Sequence, residues 1–276
     1  MASLEKGLIR FVLAALLSAS GTGAHAAVIT QLGFLVDGSG SISAADFNTM
    51  RTGYAAAFSG LPVDGSVELT LVQFGSTTVG AGTAVTTTVI NNLVIDSVAA
   101  RALAVAQVTA MLQIGGATPM AAGIDAMRQE LVTSANFSLG IASLINMATD
   151  GQPTFPAPDS LARSLTVSAA AAADAAGIDA LTVEAIGTGV DLAFLRSIVF
   201  SPLGGAGTGV VLPLNSTPPN PMTSRAWVLP VNSFDDFPTA IRNKVQAVVV
   251  STPEPGSIAL IALGLAAFGF SRRRRS

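Results

Sequence analysis

The chain has 276 residues, of which 50% are hydrophobic and 11% charged, with a mean hydropathy of +0.60 and a formal net charge of −3. That charge content is less than half the roughly 25% of an ordinary soluble domain, and the apolar excess is concentrated at the two ends. There is no cysteine, which excludes disulfide staples and thiolate sites, and the only histidine, His25, lies in the first of those ends.

The N-terminal stretch MASLEKGLIRFVLAALLSASGTGAHAA places Lys6 and Arg10 before an apolar run from Phe11 to Ala19 and closes on Ala24-His25-Ala26. A basic start, a short apolar run and an A-x-A close make a secretory signal over residues 1–26. The alternative, an uncleaved anchor helix, needs about 20 apolar residues, which this run lacks.

Past the signal, Gln31 to Val36 reads as a fully apolar strand, and Ala44 to Phe58 as a helix with Phe47, Met50, Tyr54 and Phe58 on its core side. Val67 to Phe74 is the next strand, with β-branched Thr83 to Ile90 as its hairpin partner. Helices follow over Ser97 to Leu112 and, after the GGATP break, Met120 to Leu131. Ser143 to Ala148 reads as a buried strand that runs into Thr149-Asp150-Gly151.

An alanine-rich helix over Ser160 to Ala176 stops at Gly177. Then come a strand over Ala180 to Ile186, a short helix over Asp191 to Ile198, a strand over Ala226 to Val231 and a closing helix over Ser233 to Val250 with Asp235 and Asp236 in its first turn. This alternation predicts an α/β fold: a doubly wound, mostly parallel sheet with one antiparallel edge strand and helices on both faces. Residues 27–252, about 226 in all, are enough for one domain with its own core.

Phe200 to Arg225 breaks the rhythm. It is rich in Gly, Pro, Ser and Thr and reads as a loop or edge excursion at the end of the sheet opposite the loops that follow strands. Its GGAGTG follows a helix rather than a strand and has no lysine partner, so a phosphate loop is not the reading it supports.

The C-terminal 253–276 combines Pro253-Glu254-Pro255, an apolar stretch from Ile258 to Phe270 and the cluster Arg272, Arg273, Arg274 and Arg275. Thirteen helical residues rise roughly 20 Å, short of a ~30 Å hydrocarbon core unless flanking residues and local thinning help. Arginines behind an apolar segment stay cytoplasmic, which leaves the preceding chain outside. A plain C-terminal membrane anchor fits these facts as well.

The order Pro-Glu-Pro, short transmembrane helix, arginine cluster resembles the PEP-CTERM sorting signal. That resemblance implies an inner-membrane intermediate, cleavage by an exosortase and delivery to the cell surface or extracellular matrix of a Gram-negative bacterium, following the Sec translocon and signal peptidase.

Without the six basic and two acidic residues of the two ends, the chain's 14 and 17 fall to eight and 15, a body near −7. Such a body is a poor partner for nucleic acid. It also lacks histidine and cysteine and keeps one lysine, Lys244, so no Ser-His-Asp triad, Cys-His pair or ordinary zinc site can form. No enzyme activity is expected.

The remaining chemistry lies at strand ends, where open α/β sheets bind ligands. FLVDGSGSIS sets Asp37, Ser39 and Ser41 at every second position after the first strand, Asp150 leaves a later strand at the same edge, and Thr118 stands before a helix. Two acids, three hydroxyls and water match a hard divalent cation that takes about six oxygens. Thr118 can equally cap the helix that Pro119 opens.

DGSGS, with Thr118 and Asp150 placed 81 and 113 residues after Asp37, resembles the metal-ion-dependent adhesion site (MIDAS) of von Willebrand factor type A and integrin I domains. The resemblance implies Mg²⁺, or Mn²⁺ or Ca²⁺, on Ser39 and Ser41, with Thr118 direct or through water and Asp37 and Asp150 mostly through water. Neutral hydroxyls leave such a cation under-neutralised, so an acidic protein or anionic polysaccharide can complete its shell. The implied function is metal-dependent adhesion. Two alternatives stay open: a structural component of an extracellular matrix or biofilm with no metal-dependent ligand, and a metal-dependent phosphoester hydrolase. The second lacks a general base.

Overall fold

A computed structural model describes residues 27–78, 82–138 and 140–249. The expected signal and sorting segments, with Pro253, Glu254, Pro255 and Arg272 to Arg275, lie outside the described residues. Within them, no helix is long and apolar enough to cross a membrane.

The elements run β1 (Thr30–Asp37), α1 (Ala44–Ser59), β2 (Val67–Ser76), β3 (Ala84–Val94), α2 (Val98–Ala110), α3 (Met120–Thr133) and β4 (Ala142–Thr149). Then come α4 (Asp159–Ala175), β5 (Ala180–Ile186), α5 (Leu192–Ile198), β6 (Val210–Val211), β7 (Trp227–Val231) and α6 (Phe237–Val249). The sheet order is β3-β2-β1-β4-β5-β7-β6, parallel throughout except for β3, which pairs antiparallel with β2 at the edge. This is the doubly wound sheet that the strand and helix rhythm predicts.

Strands buried on both faces need helices on both, and their side chains alternate accordingly. Leu32, Phe34 and Val36 of β1 point into a core shared with α1, α2 and α6, while Leu35 points into the opposite core under α3, α4 and α5. In the first core Phe34 lies 5.1 Å from Phe58 and 5.5 Å from Tyr54, and Tyr54 lies 5.2 Å from Phe237. Burying each such ring contributes roughly 1.5–3 kcal/mol, enough to fix α1 and α6 on the sheet without a disulfide.

Most boundaries shift by one or two residues, and three places differ from the sequence expectation by more. β3 continues to Val94 because Asn92, at φ 44°, absorbs a bulge and its amide donates to the Glu130 carbonyl, so Asn91-Asn92 does not act as a turn. α6 starts at Phe237 rather than Ser233, since Ser233 and Asp236 close a separate turn through Asp236 N–H to the Ser233 carbonyl at 3.1 Å. The 200–225 segment starts and ends at the predicted end of the sheet, but it climbs beside β7 as the two-residue β6 and reaches Asn232 through Asn215.

β1 is followed in chain order by β2 on one side, and the chain later returns to its other side as β4. The connections therefore diverge at the carboxyl ends of β1 and β4, and a crevice forms there.

Candidate metal site

Asp37 ends β1, and the register that sets Val36 beside Ala148 brings it next to Thr149 at the end of β4. Its two carboxylate oxygens are both used: Oδ1 accepts from Ser39 N–H at 2.9 Å and Oδ2 from the Thr149 hydroxyl at 2.6 Å. The first bond closes a tight Asx-type turn, which aims Ser39 and Ser41 to the same side. Their hydroxyl oxygens lie 3.0 Å apart, and Ser41 donates to Asp150 Oδ1 at 2.8 Å. Asp37, Ser39, Ser41 and Asp150 are thus one continuous cluster.

Thr118 reaches the same end of the sheet by a different route. Gly115 N–H donates to the Gly38 carbonyl at 2.7 Å and Gly40 N–H to the Gly116 carbonyl at 2.8 Å, so the two loops are laced together by main chain. Gly116 sits at φ +72°, and a Cβ there would lie 2.2 Å from the Ser76 carbonyl oxygen, so this lacing requires glycine. Thr118 itself is held by Thr154: its N–H donates to Thr154 Oγ1 at 3.0 Å and its carbonyl accepts from Thr154 N–H at 3.2 Å. Its side-chain hydroxyl joins none of the hydrogen bonds that link the other four residues.

Burial makes the cluster electrostatically uncomfortable. Asp37 and Ser39 are fully buried and Thr118 nearly so, whereas Ser41 is exposed and Asp150 half-buried, so the cluster opens outward on one side. Burial raises the Asp37 carboxyl to about 6 against the hydrogen bonds from Ser39 and Thr149, and nearby Asp150 pushes it the same way. Burial also raises Asp150, with Asp46 adding to the effect. No lysine or arginine is among these causes, so the charge the site lacks is positive.

The donor set fits a hard cation: two carboxylates and three hydroxyls, all oxygen. No group of three or more His, Cys, Asp or Glu gathers among the described residues, so the hydroxyls are essential to this reading. The structure adds residues that the sequence did not mark. Thr149 was legible only as a strand end, yet it holds Asp37. Gln113 donates from Nε2 to the carbonyls of Ser39 at 2.9 Å and Ile42 at 2.8 Å, fixing the loop from 74 residues away, and nothing local announces it.

The fold and this strand-end cluster define a von Willebrand factor type A domain. The chain belongs to that family, whose model matches residues 31–207, and the model of the PEP-CTERM protein-sorting motif matches residues 251–275. No curated protein matches significantly.

Among solved structures, the chain is similar to proximal thread matrix protein 1 from the mussel byssus at 17% identity and TM-score 0.57, covering 80% of this chain and 48% of that one. A form of that protein with a zinc-occupied MIDAS motif matches at 17% identity and TM-score 0.55, over 80% and 48%. The pilus adhesin SpaC from Lactobacillus rhamnosus GG, in its open conformation, matches at 14% identity and TM-score 0.54, over 80% and 30%. At these identities the likeness is one of fold, and the chain spans about half the length of the mussel protein and under a third of the adhesin.

Proposed function

We propose that this chain is an exported, surface-sorted binding module that holds one divalent cation on Ser39, Ser41 and Thr118, with Asp37 and Asp150 behind them, and binds an acidic ligand through it. The observation that carries this reading is the bonded series Asp37–Ser39–Ser41–Asp150, which gathers oxygens from two strand ends, with no lysine or arginine of the described residues shifting either carboxyl. The zinc-occupied MIDAS of the mussel relative supports a divalent ion without naming this one. The sorting motif supports export and exosortase processing.

When bound, the cation supplies a Lewis-acidic position that an acidic group of a ligand can complete. Asp37, locked by Ser39 and Thr149, balances part of the charge from below. The Ser39 and Ser41 hydroxyls present neutral oxygens, so the ion keeps its appetite for an anion. Gln113 and the Gly115–Gly116 strap hold the loops so that little ordering is required on binding. Both Asp37 oxygens are already engaged by Ser39 and Thr149, and the set holds no histidine, cysteine or lysine, which favours binding over catalysis.

Titration calorimetry with Mg²⁺ and Mn²⁺ tests this. One cation per chain is expected, and Ser39→Ala should weaken it by at least about tenfold, in line with loss of one direct ligand. Equal affinity in both proteins sinks the site. Removing residues 253–276 should strand the protein away from the surface. If the full, surface-sorted chain keeps its hold on the surrounding matrix when divalent ions are chelated, the matrix-component reading displaces adhesion.

A further inference from the structure

We propose that the outer edge of β3, with the outward face of α2 beside it, is a twofold surface that pairs with a second copy of this chain. This goes beyond the metal site and does not depend on it.

The backbone comes first. The Phe74 carbonyl accepts from Gly38 N–H on the β1 side of β2, and at the mouth of the hairpin Thr77 N–H donates to the Thr83 carbonyl at 3.1 Å. With β3 paired to β2 as Gln73↔Thr87, Phe74↔Thr86 and Gly75↔Val85, the antiparallel alternation turns the N–H and C=O groups of Ala84, Thr86 and Thr88 away from β2. They have no partner among the described residues, and Thr86, Thr87 and Thr88 are all exposed.

Free edges are normally blunted by charge, proline, bulges or shortness. The opposite edge obeys this, since β6 has two residues. β3 has eleven, AVTTTVINNLV, with no charge and no proline, and its bulges lie past Thr88, so Ala84 to Thr88 is regular. The body carries near −7 and Glu130 is an acid bonded at this edge, so the strand's own uncharged stretch is where two copies can approach with least repulsion.

The helix beside it points the same way. α2 packs on β3 and on α1, which makes it the outermost helix of its face. Its only charged residue is Arg101, which donates inward to the Leu61 carbonyl at 3.0 Å. Leu103 and Val98 are 49% and 64% exposed, and Leu112, just past its end, is 80% exposed over a groove of about 560 Å³ that Thr87 and Val89 of β3 also line. An outward helix face that carries Val98 and Leu103 and no outward charge has the character of a contact surface.

A second copy satisfies both features at once. With the axis at Thr86, antiparallel pairing sets Thr86 against itself and Ala84 against Thr88, for about six main-chain hydrogen bonds. The same axis brings the two α2 helices together on one face of a continuous 14-stranded sheet, so their exposed leucines cover one another. Glu130, which accepts from the Thr88 hydroxyl at 2.7 Å, then looks across at Ala84 of the other copy and not at its own counterpart.

Sedimentation of the full chain in mild detergent tests the pairing. The wild type should be dimeric at micromolar concentration, and Thr86→Lys should raise the dimer dissociation constant by at least about tenfold, since two like charges then face each other across the axis. Leu112→Asp, in a different element, should do the same. Because the chain has no cysteine, Thr86→Cys gives one thiol per copy, and oxidation should link it into dimers. A monomer up to about 100 µM, a dimer unmoved by both substitutions, or an edge that takes only an added extended peptide overturns the proposal.

Discussion

The strand-end cluster and a second polar cluster under α6 share one strand: β4 contributes Asn146 to one and, four residues on, leads to Asp150 of the other. Under α6, Lys244 donates to Thr182 Oγ1 at 2.9 Å and lies 4.5 Å over the Trp227 ring, and Asn146 donates to Glu184 Oε2 at 2.6 Å. Burial pushes Glu184 up and Lys244 down, and each opposes that push on the other by its charge. This cluster carries its own cation and is sealed. The strand-end cluster is acidic, has no cation of its own and opens outward. In the sealed cluster the acid and the cation oppose each other's burial inside the chain, whereas the strand-end carboxylates are left for something outside the chain to neutralise.

Breaking the sealed cluster should have the largest effect. Lys244→Met removes the charge that opposes the burial of Glu184 and leaves Thr182 Oγ1 without its donor, a loss of about 3 kcal/mol in urea denaturation. Adding Glu184→Gln should recover most of that loss. If the single substitution is silent, the two clusters do not differ in the way described.

The open cluster should reveal itself through pH. Without a cation, the folded-state Asp37 carboxyl titrates at about 6, above its ordinary 3.8. Its contribution to stability is therefore complete below about pH 4 and lost as pH rises through 6, a span of roughly 3 kcal/mol. The metal-free protein should thus be more stable at pH 4.5 than at pH 7. Asp37→Asn should reduce that dependence to the part left by Glu184, which burial raises to about 7, and Mg²⁺ at pH 7 should restore stability through binding to the folded state alone. Thermal melts at the two pH values, with chelator and with Mg²⁺, measure all three.

The two clusters also differed in how far the sequence announced them. Asp37, Ser39, Ser41, Thr118 and Asp150 lie in loops just after strands or before a helix, so strand direction alone brings them to one edge. The central strands were legible for a similar reason: short runs in which apolar and β-branched residues predominate, bounded by turn residues, need no partner to be recognised. Glu184 and Lys244 were not, because a lone acid in VEAI and a lone lysine in an amphipathic helix are paired only by the packing of α6 on β5. Thr149 and Gln113 act across 112 and 74 residues. β6 has only two residues and owes its place to β7 rather than to any pattern of its own.

A smaller effect is expected at Thr149. Thr149→Val keeps the shape and removes the 2.6 Å bond to Asp37. A hydrogen bond to a buried charged group contributes about 1.5–3 kcal/mol, and part of that returns at low pH where the carboxyl is protonated. The loss should be clear at pH 7 and smaller at pH 4.5, a difference that a purely packing role for Thr149 would not produce.

The smallest effect belongs to a pair that resembles the sealed cluster on paper and differs in solvent. Arg163 lies 2.8 Å from Asp191 Oδ2 and 4.7 Å over the Phe194 ring, with about a third of each charged side chain exposed. Water screens this pair, so Arg163→Gln should cost under about 1 kcal/mol and less still in high salt. Asp191 does more, because its Oδ1 also accepts from Phe194 N–H at 2.9 Å as the cap of α5. Asp191→Ala should therefore cost about 1 kcal/mol more than Arg163→Gln, and that surplus should survive salt. If both substitutions fade together in salt, the cap contributes nothing and exposure alone separates this pair from the one under α6.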